Sequence, residues 1–76
     1  MVYKLDADFT ALAEKEGTLF AAQGGVEAAS GDSAPERGSG IFLDMGERAQ
    51  FSTTKTLYAR SLGASSILNV QEVQLR

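Results

Sequence analysis

Residues 56–73 read Thr56-Leu57-Tyr58-Ala59-Arg60-Ser61-Leu62-Gly63-Ala64-Ser65-Ser66-Ile67-Leu68-Asn69-Val70-Gln71-Glu72-Val73. Residues two apart lie on the same side of an extended chain. In the first half Leu57, Ala59 and Ser61 therefore share one face, and Tyr58 and Arg60 the other. In the second half Leu68 and Val70 share a face, with Ile67, Asn69 and Gln71 opposite. A period of two is the strand period, so the stretch reads as two strands, Thr56–Leu62 and Ser66–Val73. The small residues of Leu62–Ser66 between them read as a hairpin connection.

The same punctuation continues outward. Glycine and small polar residues interrupt the chain at Gly17, Gly24-Gly25, Gly31–Ser33, Pro35, Gly38–Gly40, Gly46 and Ser52–Thr54. The apolar pieces between them are of strand length: Thr18–Gln23, Val26–Ser30, Ile41–Asp44 and Arg48–Phe51. Asp44–Glu47 reads as a tight turn, with Gly46 free to take a positive φ. Residues 5–16 fit two patterns. Leu5, Phe9 and Leu12 have helical spacing with Asp8 as a cap and Gly17 as a stop, yet Asp6–Phe9 also reads as a turn into a first strand, and the strand reading is preferred. The expected fold is all-β: a small sandwich or barrel of about six to seven short antiparallel strands, with one short N-terminal helical turn as the alternative. One domain spans residues 1–76, and residues 1–16 are a candidate N-terminal arm.

A chain of 76 residues has room for a small core only, since a domain this short buries about 60% of its unfolded surface. Small domains are commonly reinforced by disulfides, metals or oligomerisation. The sequence contains no cysteine and no histidine, which removes disulfides, thiolate and imidazole ligands, and Cys/His or Ser/His catalysis. Oligomerisation is the remaining means. Several strands are also apolar on both faces: Leu19 opposes Phe20, Ile41 opposes Phe42 and Ile67 opposes Leu68. Such faces either pack as two sheets within the domain or meet another chain.

Seven basic against ten acidic residues give a net charge of −3, unlike the basic stripe of a nucleic-acid binder. No apolar run approaches the roughly 18 residues of a membrane span, and the first residues lack the apolar stretch of a signal peptide. Residues 1–36 carry seven acids and two bases (net −5), and residues 37–76 carry three acids and five bases (net +2). That asymmetry suits cross-strand pairing within one fold or complementary edges between copies.

Candidate chemistry is sparse. Asp6 and Asp8 share a face if extended, but nothing nearby supplies the six to eight oxygens of a calcium site. Glu14, Glu16 and Glu27 read as solvated surface rather than as an acid–base pair. Gly24-Gly25 and Gly38-Ser39-Gly40 lack the Gly-Lys-Ser/Thr of a phosphate loop. Ser33, Ser52, Ser61, Ser65 and Ser66 have only Lys4 and Lys55 as potential bases, and no spacing joins them. Neither an enzyme nor a cofactor or metal site is expected. Tyr58 and Arg60, alternating on one face, suit a cation–π pair or an interface. The polar loop Asp32–Ser39 reads as a crossover, or as a loop that reaches a neighbour.

Longer runs carry a resemblance. Ala28-Ala29-Ser30-Gly31-Asp32-Ser33-Ala34-Pro35, Gly40-Ile41-Phe42-Leu43, Gly46-Glu47, Leu57-Tyr58-Ala59-Arg60-Ser61 and Leu68-Asn69-Val70-Gln71-Glu72-Val73 follow one another in an order that resembles small all-β virion proteins of tailed bacteriophages. The resemblance covers roughly residues 17–73 and implies a non-catalytic protein assembled on a particle. What it implies further is a head decoration or cement protein that bridges capsid subunits as a homo-oligomer, with a trimer favoured. The partners would be further copies of the chain and the major capsid protein, with neither nucleic acid nor membrane, and the location the virion, assembled in the host cytoplasm. A tail-fibre or baseplate adaptor is the first alternative, and an acidic module that inhibits a host protein is the second. The contacts expected are Val2, Tyr3 and Leu5 of the arm, with Pro35, Phe42, Tyr58 and Arg60.

Overall fold

A computed structural model describes residues 1–72. The chain forms eight strands: β1 (Val2–Leu5), β2 (Thr10–Leu12), β3 (Glu16–Gln23), β4 (Val26–Gly31), β5 (Ile41–Leu43), β6 (Arg48–Ser52), β7 (Thr56–Ser61) and β8 (Ser66–Glu72). The fold class is as expected, with more strands than the six to seven counted from the sequence. The addition comes from the N-terminal stretch, which yields two strands rather than an arm or a helical turn. Asp8 N–H donates to Asp6 Oδ1 at 2.9 Å and closes a turn between them. Leu5 then packs into the core from one sheet and Leu12 from the other. Val73, placed above in the last strand, lies outside the described residues.

Two four-stranded sheets stack, with orders β1-β8-β3-β6 and β2-β7-β4-β5. Every neighbouring pair is antiparallel. These mirrored orders are the connectivity of a jelly roll. Every consecutive pair of strands steps from one sheet to the other except β4/β5, which is joined within a sheet. Leu62–Ser66 is therefore an arch between sheets, not the expected hairpin. Alternation is the same in both cases, because Leu57 and Ala59 face the core whether β8 lies beside β7 or across from it. Hydrogen bonds made elsewhere decide. Gly25 C=O accepts from Leu62 N–H at 3.0 Å and from Ser66 Oγ at 2.8 Å. The buried Ser61 and Ser66 hydroxyls meet at 2.7 Å across the gap.

The core is built from alternate positions. Leu5, Leu19, Ala21, Leu68 and Val70 come from the first sheet, and Leu12, Val26, Ala28, Leu43, Leu57 and Ala59 from the second. Asp44–Glu47 is the turn expected, closed by Glu47 N–H to Asp44 C=O at 2.9 Å, with Gly46 at φ +91°.

Candidate functional site

The most constrained polar group lies on the outer side of the second sheet. Glu27 and Arg60 face each other in the register of β4 and β7, and Arg60 Nε donates to Glu27 Oε1 at 2.7 Å. Two backbone amides of the β4–β5 loop complete the shell. Gly38 N–H donates to Oε1 at 3.0 Å and Gly40 N–H to Oε2 at 2.8 Å. The Glu27 side chain is 0% exposed and that of Arg60 13%. Loss of hydration pushes the Glu27 carboxyl up. The Gly38 and Gly40 amides and the Arg60 guanidinium together outweigh it, so the carboxyl sits below its ordinary value.

The sequence reading of Glu27 as solvated surface is corrected by this arrangement. Its position on β4 points outward, but the loop folds back over it. The Arg60 guanidinium lies over Phe9, 5.7 Å from the ring centroid, so its aromatic partner comes from the β1–β2 turn and not from Tyr58. Arg37 also reaches Asp8 at 2.8 Å on the exposed side of the loop. Gly40 passes so close to β4 that a Cβ there would lie 2.3 Å from Ala28 O. The crossover from Asp32 to Ser39 is thus tied to the sheet by a carboxylate clamp.

Glu14 departs from the expected surface role in the same way. It is 5% exposed and accepts from Tyr3 Oη–H at 2.6 Å, while Ala13 N–H donates to the same phenol oxygen at 3.0 Å. Burial, first, and the Glu14 carboxylate raise the Tyr3 pKa above its ordinary value, against the opposing pull of the Ala13 amide.

The clamp positions one wall of a surface depression. This depression of about 570 Å³ lies beside edge strands β5 and β6, with the buried Leu19, Ala28 and Leu57 and the half-buried Phe51 beneath it and Pro35 and Ile41 at its rim. β5 pairs with β4 over only Val26–Ala28, so the sheet margin beyond Ile41 is left to the loop. Ile41 and Phe42 are 52% and 57% exposed. Natural edge strands are normally blunted by charge or proline, and Ile41-Phe42-Leu43 has neither.

The residues expected as contacts are dispersed. Val2 is exposed on edge strand β1, and Phe42 is exposed on edge strand β5. Pro35 lines the depression. Leu5 is 1% exposed and belongs to the core, leaving no surface to present. Tyr3 is half-buried and engaged with Glu14, Tyr58 is half-buried on β7, and Arg60 is held by Glu27. The sequence reading named Ile41 with Phe42 as a strand apolar on both faces but did not list Ile41 among the contacts, and the depression was not legible from it. Asp6 and Asp8 form the β1–β2 turn, and no cluster of three or more acidic side chains suited to a metal ion occurs among the described residues.

Comparison with family models, with curated proteins and with solved structures gives no match to this chain.

Proposed function

We propose that the chain is a non-enzymatic structural subunit of a virus particle, and within that class a head-decoration protein of a tailed phage that bridges capsid subunits as a homo-oligomer. The observation that carries the reading is the exposed apolar edge strand β5. Ile41 and Phe42 stand exposed on edge strand β5, and Ile41 borders a depression over Leu19, Ala28 and Leu57, which themselves stay buried. Exposed apolar edges of this kind are completed by a partner that adds main-chain pairing and inserts a side chain. The loop clamped by Glu27 forms part of the depression's rim, which presents the partner with a fixed shape and lowers the ordering cost of docking. Jelly-roll connectivity occurs in viral capsid domains among others and supports the reading by analogy, as does the resemblance described above. A small interface per copy suffices when many copies act together on one particle.

Quantitative mass spectrometry of purified phage particles tests the proposal. A copy number equal to that of the major capsid protein, or a simple fraction of it such as one third, is the expected result. A ratio of a few per cent would move the chain to the tail. Absence from particles, with co-purification of a host protein, would overturn the virion reading in favour of the host-directed module.

A further inference from the structure

We propose that β6 is the seam of a two-fold dimer, pairing antiparallel with β6 of a second copy about an axis at Gln50. Main-chain alternation singles this strand out. Glu47 C=O accepts from Ala21 N–H at 3.0 Å, and Lys15 C=O accepts from Thr53 N–H at 2.8 Å. With the β3–β6 register, both ends place the main-chain groups of Ala49 and Phe51 toward β3. Those of Arg48, Gln50 and Ser52 point the other way, along a margin that no described strand covers. The other edges offer less. By the same alternation β5 presents only Phe42, because the flanking Gly40 and Asp44 N–H groups donate to Glu27 Oε2 and Glu47 Oε1. On the far side β2 presents Ala11, and β1 presents Val2 and Lys4. Edge strands are ordinarily blunted by charge or proline, and β6 has one charge, Arg48, at its end and no proline.

A second copy is the occupant because the strand complements itself. About Gln50, Arg48 faces the partner's Ser52 and Gln50 faces the partner's Gln50, and each facing pair exchanges two main-chain hydrogen bonds. On the inner side the small Ala49 meets the large side chain of the partner's Phe51. Both residue types are half-buried against the core, so apolar packing continues across the seam. On the outer side the Gln50 amide, donor and acceptor at once, pairs with its own copy. The register sets Glu16 beside Ser52 and Phe20 beside Arg48, so Ser52 separates Glu16 from the partner's Arg48. Two strand spacings, about 10 Å, lie between their backbones, within the joint reach of the two side chains. A depression of about 370 Å³ lined by Glu16, Thr18, Gln50 and Ser52 among others lies where the partner's Arg48 arrives. Neither Arg48 nor Glu16 has a salt bridge among the described residues. The Arg48 guanidinium lies over Phe20 in the single chain, 5.0 Å from the ring centroid, and exchanges that contact for the carboxylate by a change of rotamer. The remaining charges are also matched. Asp44 and Glu47 lie at one end of β6, and Lys15 and Lys55 at the other, with Asp32 3.5 Å from Lys55. Antiparallel pairing brings these unlike ends together. The Met1 ammonium lies against β8, two strands from the seam. Such a dimer is one form of the homo-oligomer proposed above, two-fold where the resemblance favours a trimer, and its seam is distinct from β5.

Sedimentation velocity of the purified full chain from about 10 µM to 1 mM should show the mass rise from 8.0 kDa toward twice that value. Hydrogen exchange of the wild-type chain over the same range locates the contact without any variant. The backbone amides of Arg48, Gln50 and Ser52 should gain protection with concentration, and that of Phe42 should not. Arg48→Glu and Glu16→Arg change exposed side chains, and each should weaken dimerisation by about tenfold by setting like charges across the seam. The two combined restore unlike charges and should bring it back to within about threefold of wild type. A monomer at every concentration, or a dimer in which the Gln50 amide exchanges freely, would overturn the seam. So would a dimer that neither single change weakens, or that the combined change fails to restore. Protection gained at Phe42 in place of Gln50 would overturn it in favour of pairing through β5. These readouts need no phage particle: their failure leaves the virion role standing, and absence of the chain from particles leaves the dimer standing.

Discussion

Replacing Glu27 by glutamine tests the clamp directly. The variant keeps the side chain's shape, but it loses the charge that three donors address and turns an amide N–H₂ or a single neutral oxygen toward Arg60. Removing one partner from a buried ion pair costs about 3–5 kcal/mol. Arg60 retains 13% exposure and can recover some hydration, which places the expected loss at the low end, about 3 kcal/mol. At about 4–8 °C per kcal/mol for a domain of this size, the melting temperature falls by about 12–24 °C. A domain of this length has roughly 4–11 kcal/mol of stability in total, so the variant is best measured by urea denaturation in the cold. Far-UV circular dichroism is the probe, since the chain has no tryptophan.

Two companions make the result specific. Glu27→Gln combined with Arg60→Met removes both charges and should regain a large part of the loss, because no buried charge is left unpaired. The pH dependence supplies the second. The folded Glu27 carboxyl titrates below its ordinary value of 4.5, so the fold holds its proton less tightly than the unfolded chain does. Its contribution is complete above about pH 4.5 and disappears as the pH falls through the folded value. The wild-type urea midpoint should therefore fall more steeply below pH 4.5 than that of Glu27→Gln. A Glu27→Gln variant within about 0.5 kcal/mol of wild type, the range of ordinary surface changes, would refute the clamp.

Two further outcomes follow from the geometry. Gly40→Ala puts a methyl 2.3 Å from Ala28 O and should cost about 1–3 kcal/mol by forcing β5 away from β4, whereas Gly63→Ala, with nothing within 4 Å of its Cβ, should be neutral in the same denaturation assay. Tyr3→Phe strips the buried Glu14 carboxylate of its donor and should cost about 1–3 kcal/mol. Because the Tyr3 pKa is raised above 10.0, its contribution is complete below that pH and is lost as the pH rises through the folded value, so wild type and Tyr3→Phe should converge in alkaline urea titrations.

Alternation made the strands legible, because period two in Leu57–Ser61 and Leu68–Val70 survives any arrangement of the sheets. Connectivity was not legible from the same residues. Whether Leu62–Ser66 turns back in one sheet or crosses to the other depends on Gly25, some 40 positions away, accepting from Leu62 and Ser66. Glu27 was misread for a related reason. A glutamate at an outward strand position is solvated by default, and only the return of Gly38 and Gly40 over β4, with Arg60 alongside, removes it from water. The depression beside β5 is a property of where β5 ends relative to β4, a tertiary fact with a single local clue in the uncharged Ile41-Phe42-Leu43.

Under the proposed virion role, edge strand β5 is the surface that docks the chain onto a phage head. That claim is tested most directly by adding purified chain back to particles stripped of it and measuring co-sedimentation for wild type and for Ile41→Lys. Ile41 is already half exposed, so the lysine leaves the fold intact while placing a charge at the rim of the depression. Saturable binding of wild type, with Ile41→Lys weaker by about tenfold or more, is the predicted result. Equal binding of the two proteins, or no binding of wild type, would contradict the account.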